Sequence, residues 1–174
     1  MTDKFSEEIE DEKTKKLGIM VLSIFMIILL ISYFILYEGI NHGIISGLIG
    51  SSNIKEDIIE LKDLTINFQQ GIQKEMIKHY LENEGNETKF CLMGEKIKNN
   101  IQITSIYYPK IISQTFQQVR TEQCPKGTLI SVHSHPNRQC LPSIQDLKTR
   151  DLLKKQNKDL LTAIMCEENR LYFY

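Results

Sequence analysis

Residues 17–37, LGIMVLSIFMIILLISYFILY, hold no charged side chain and almost nothing polar. As a helix the run is about 31 Å long, which matches the ~30 Å hydrocarbon core of a bilayer. A core helix of a water-soluble domain is usually shorter and keeps a polar face. The run therefore predicts a single transmembrane helix near the N-terminus. A cleaved signal peptide fits less well, because the segment before it is acidic (Glu7, Glu8, Glu10, Asp11, Glu12) and no A-x-A cleavage pattern follows. Lys13, Lys15 and Lys16 flank the N-terminal side, whereas no Lys or Arg follows until Lys55. The positive-inside rule then places the rest of the chain outside the cytoplasm.

Four parts are expected: a polar tail over 1–16, the span over 17–37, a Gly-containing segment and stalk over 38–62, and one domain over 63–174. Gly39, Gly43 and Gly47 recur every fourth residue, a spacing that lets two membrane helices approach and so predicts a homodimer contact. The polar residues Glu38, Asn41 and His42 favour instead an interfacial continuation of the anchor. In IKEDIIELK (54–62) the isoleucines and leucine fall like one stripe of a short helix, hence a helical stalk. Beyond it the pattern is α/β (α+β). Strands are predicted at 64–68, 89–94, 101–109 and 127–135, the last stopped by Pro136, and in LLTAIMC and RLYFY at the end. Helices are predicted over 70–83 and from Ser143 to about Asn157. With 21 basic and 22 acidic residues the charge is balanced, which argues against a nucleic-acid-binding surface.

Cys91, Cys124, Cys140 and Cys166 are too few and too scattered for a disulfide scaffold, and none forms a CxxC pair. They read as buried thiols, with one exception. Cys140, in the loop after the 127–135 strand, and Cys166, at the end of a later strand, are placed to be neighbours, and a disulfide between them suits an oxidising compartment.

His133 and His135 lie two apart at the end of a strand, so both imidazoles project to one face. Asp146 sits in the first turn of the next helix and is placed to return a carboxylate to the strand end. Two imidazoles and one carboxylate, with a position left for water, form the open ligand set of a catalytic zinc. Ser143 and Asp146 have a second use as N-cap and N3 of a capping box.

The string HSHPNRQCLPSIQD, residues 133–146, resembles the motif of the JAMM (MPN-plus) zinc metallopeptidase family: H-x-H, seven residues, Ser, two residues, Asp. That family also uses an upstream glutamate in a pattern similar to E-x-x-G-h-h-h-G, with h apolar. Glu87–Gly94, ETKFCLMG, fits it with Phe90 in place of the internal glycine, and Glu84 and Glu95 are the competing glutamates. The resemblance spans about 63–174. It implies an MPN-like mixed sheet flanked by helices and one catalytic Zn2+ held by His133, His135 and Asp146. Glu87 is then the general base, and Ser143 donates to the oxyanion. The implied activity is hydrolysis of peptide or isopeptide bonds at the C-terminus of a ubiquitin-like or sulfur-carrier protein. Rival expectations are a catalytically silent MPN scaffold, although such scaffolds usually lack a ligand, and a metallopeptidase acting on a membrane or envelope protein. The family resemblance expects a cytoplasmic domain, against the lysine asymmetry. Asn86-Glu87-Thr88 is a glycosylation sequon beside the expected base, which favours the cytoplasm too, or a cell that leaves the sequon bare.

Overall fold

The central strands of the sheet are buried on both faces: one carries the main apolar core, the other a smaller cluster around Cys140, Ile164 and Cys166 beside His133. The structure is a computed structural model that describes residues 2–37, 42–115, 119–135 and 139–174, with side chains from 15 to 33 and from 46 onward within them. Gly39 and Pro136 lie outside the described residues. The chain forms two compact units, Met1–His42 and Gly43–Tyr174.

The first unit is helix α1, Thr2–Tyr37. Its stretch Lys15–Tyr33, of mean hydropathy 2.3, is long and apolar enough to cross a membrane, as a span or as a signal sequence. The polar residues from Thr2 onward join this helix instead of forming a separate tail. Their Glu and Lys side chains have good helix propensity and nothing breaks the run.

The second unit opens with helix α2 (His42–Gly50) and the short strands β1 (Ser52–Asn53), β2 (Ile58–Leu61) and β3 (Leu64–Phe68). Helix α3 (Ile72–Glu82) leads to β4 (Lys89–Ile97), β5 (Asn100–Tyr107), β6 (Ile111–Gln114), β7 (Val119–Thr121) and β8 (Thr128–Ser134). Helix α4 (Ile144–Gln156), β9 (Leu161–Glu167) and β10 (Arg170–Phe173) complete it. Eight strands form one mixed sheet in the order β1-β10-β9-β8-β4-β5-β3-β2, and β6 and β7 pair separately. The β3–β5 and β8–β9 pairs are parallel and the other pairs antiparallel.

On the main core face Phe90 and Leu92 of β4, Ile130 and Val132 of β8, and Ala163 and Met165 of β9 join Ile72 and Met76 of α3 in one core. The alternate residues point the other way. There, register aligns Lys89 with His133 and His133 with Ile164, and below them Cys91 with Ser131 and Ser131 with Thr162. Phe90, which stands where the resembled pattern has glycine, is fully buried and fills the core.

Three expectations are corrected. The helical stalk does not form: Ile58–Leu61 is β2, paired antiparallel with β3. Glu56 and Asp57 take left-handed backbone (φ 51° and 60°), and Lys55 and Ile58 exchange hydrogen bonds of 2.9 Å across them. This is the two-residue hairpin turn, with both central residues at positive φ, and it buries Ile54 and Ile59. The compact unit accordingly starts at Gly43, not at 63. Cys91 is not a thiol but is bonded to Cys124, with Cα atoms 5.8 Å apart. The Cys140–Cys166 pair does form, at 5.0 Å.

Gly47, the one member of the glycine repeat with a described environment, packs within its own chain. A Cβ there would stand 2.8 Å from the Cβ of Cys140.

Candidate metal centre

Strand β8 ends at the site. Its pleat sends His133 to the face opposite the main core, between Lys89 and Ile164. His135 follows one residue beyond the strand and is held by its own N–H, which donates to Met165 O at 3.2 Å. Asp146 comes from the first turn of α4. Ser143 is the N-cap: its hydroxyl accepts from Asp146 N, while the Asp146 carboxylate accepts from Ser143 N at 2.7 Å. The capping box thus aims the carboxylate back toward the strand end.

His133 Nε2 lies 3.1 Å from His135 Nε2 and 3.2 Å from Asp146 Oδ1, and His135 Nε2 lies 3.3 Å from Asp146 Oδ2. Zinc bonds of ~2.0–2.1 Å in tetrahedral array set neighbouring ligand atoms about 3.3 Å apart. The three residues fit that spacing and can hold a metal ion. His135 Nδ1 faces the carbonyl of Gln139 at 3.1 Å. A carbonyl only accepts, so Nδ1 carries a proton and Nε2 is the atom that faces the centre.

Burial lowers the His133 pKa, and this outweighs the opposing pull of Asp146. For Asp146, burial pushes upward, but the neighbouring imidazoles of His133 and His135 and the Ser143 hydroxyl hold the carboxyl well below the usual range. The donor set is therefore two imidazoles and one ionised carboxylate.

Glu87 precedes β4 on the same side. Its Oε1 is 3.8 Å from His135 Nε2, its Oε2 accepts from Val119 N at 3.1 Å, and its carbonyl accepts from Gln114 Nε2 at 2.7 Å. The small β6–β7 sheet thus fixes both ends of the residue. Burial raises the Glu87 pKa, helped by Asp146 and opposed by His135 and the Val119 N–H. Glu84 and Glu95 are exposed and lie away from the cluster. Glu87, His133, Ser143 and Asp146 line one cavity of about 310 Å³, with Lys89 and Tyr174 on its walls. The Ser143 hydroxyl also donates to Asp146 Oδ2 at 2.6 Å, so here it braces the carboxylate.

The supporting roles of Gln114, Val119 and the Gln139 carbonyl carry no sequence signal. They arise from tertiary placement of backbone groups and one short hairpin.

No protein-family model matches the chain. No curated protein matches it. Among solved structures it is similar to a JAB1/MPN domain protein from Archaeoglobus fulgidus, at 20% identity and a TM-score of 0.37, over 62% of this chain and 86% of that one. The chemistry is read from the side chains themselves.

Proposed function

We propose that this chain is a membrane-anchored, zinc-dependent peptidase of the JAMM type, acting outside the cytoplasm on a protein or peptide. The observation that carries the reading is the convergence of His133, His135 and Asp146 at zinc-ligand spacing with Glu87 beside them. When bound, one zinc ion supplies Lewis acidity to the scissile carbonyl and to the attacking water.

The protein supplies the rest. Glu87, held by the Val119 N–H and made more basic by burial, takes the proton of the attacking water and returns it to the leaving amine. Ser143 first aims Asp146, and its hydroxyl then exchanges that partner for the developing oxyanion, a donor role whose loss in other hydrolases costs about 3 kcal/mol. The Cys140–Cys166 disulfide ties the loop between the ligand strand and α4 to β9, which limits drift of Ser143 and Asp146 relative to the histidines.

Two disulfides and the lysine asymmetry around 17–37 support an oxidising compartment. This favours a membrane or envelope substrate over a cytosolic ubiquitin-like one. The sequon opposes this placement only in a cell that glycosylates it, since Asn86 itself is exposed.

The test is metal content and turnover of the full chain in detergent. Wild type should hold one zinc per chain and cleave peptides. Glu87→Gln should keep the zinc and lose roughly 10²–10⁴-fold in rate. A folded wild-type chain with no affinity for zinc ends the reading.

A further inference from the structure

A second cavity of about 420 Å³ adjoins the metal-side one, and the two share Lys89, Ser131 and Leu153 as a common wall. Their charges differ. The metal side mixes Glu87 and Asp146 with Arg120 and Arg150, whereas among the described residues the second cavity is lined by the cations Lys89 and, at its exposed rim, Lys126, with Gln156 and Asn157 amides nearby and no carboxylate. Lys89 pairs in register with His133, so its side chain leaves the same face of the sheet about 5 Å from the ligand's backbone. It is largely withdrawn from water, and among the described residues it makes no ion pair. A cation held this way carries an uncompensated desolvation cost. An arriving carboxylate offsets that cost with a charge-assisted hydrogen bond.

We infer that the cavity walled by Lys89 and Lys126 is a specificity pocket for a carboxylate of the peptide substrate, seated beside the metal centre. The carboxylate comes either from an Asp or Glu side chain near the scissile bond or from the peptide's C-terminus. The inference rests on the peptidase reading, but its binding arm is separable from turnover.

The experiment uses the full chain in detergent, zinc-loaded and carrying Glu87→Gln, and measures anisotropy of labelled peptides. The peptides differ only in Glu against Gln at successive positions, each with a free or an amidated C-terminus. The carboxylate form should bind about ten-fold tighter or better. Adding Lys89→Met should bring the ratio to about one, Lys126→Gln should reduce it, and Lys89→Arg should preserve it. Retention in Lys89→Arg excludes misfolding as the cause of the loss. A ratio carried by the Glu/Gln pair with amidated ends assigns the side chain, and one carried by acid against amide ends assigns the terminus. No charge preference, or one that survives Lys89→Met with Lys126→Gln, overturns the pocket. Hydrolysis of neutral and acidic peptides alike by the unmodified chain sinks the pocket and leaves the peptidase. Lys89-dependent binding without hydrolysis of any peptide does the reverse.

Discussion

Ser143 has a shown role in the fold and a proposed one in the chemistry. Its hydroxyl caps α4 and braces Asp146, so Ser143→Ala should lower stability by about 1 kcal/mol and slow turnover by more than that loss alone explains. Thermal melts beside rate measurements separate the two effects. An unchanged rate in a less stable protein would leave only the cap. Glu87 makes a pH prediction. As a base it must be ionised, and because its pKa is raised, the acidic limb of kcat/KM should lie above the usual carboxylate value of ~4.3. Activity falls as pH drops through that limb, and Glu87→Gln should abolish it along with turnover. Ser143 was legible in the sequence because fixed spacing, H-x-H then S-x-x-D, translates into one strand end and one helix start, whereas Glu87 was reached only through the resemblance of Glu87–Gly94 to the family's upstream pattern. Lys89 and Tyr174 were not legible, since their place on the cavity wall depends on which strands neighbour β8.

At the scale of elements, β4 ties the site to the core, and Gly94 limits how closely it packs. A Cβ at Gly94 would fall 1.9 Å from the carbonyl oxygen of Gln102 in β5, beside the register shift at Met93/Gly94. Gly94→Ala should therefore force the strands apart and destabilise the domain by at least the roughly 1–3 kcal/mol typical of overpacking. Gly85→Ala serves as the comparison: nothing lies within 4 Å of its added Cβ, and only the positive φ of 89° opposes it. Equal midpoints for the two variants in urea would refute the close-approach argument. The strands with clear alternation, such as β5 and β8, were readable in the sequence. β2 was not, because its turn uses Glu56-Asp57 instead of an Asn-Gly or Asp-Gly pair, leaving only isoleucine spacing that also suits a helix. β6 and β7 are two short, largely polar strands paired only with each other. Such pairs have no period to detect, yet they supply the groups that hold Glu87.

For the whole chain, the disulfides and the apolar helix point to the same compartment by independent physics. In the proposed topology Lys13, Lys15 and Lys16 hold the N-terminus in the cytoplasm, and persistent disulfides need the oxidising side. If both hold, protease added outside sealed cells or right-side-out vesicles should digest the domain while sparing the segment before residue 17. Mass mapping without reduction should recover Cys91 with Cys124 and Cys140 with Cys166. A domain protected inside the cytoplasm with four free thiols would reject this topology and return the cytosolic substrates to consideration. The two bonds are not equivalent in effect. They close chain separations of 33 and 26 residues, so loop entropy assigns each about 3–4 kcal/mol. Only Cys140 lies in the segment joining His135 to Asp146. Replacing Cys91 and Cys124 by Ala should therefore cost stability with little change in zinc affinity per folded molecule. The Cys140→Ala, Cys166→Ala double variant should cost similar stability and also weaken zinc binding, because the carboxylate ligand is no longer held in register with the two imidazoles.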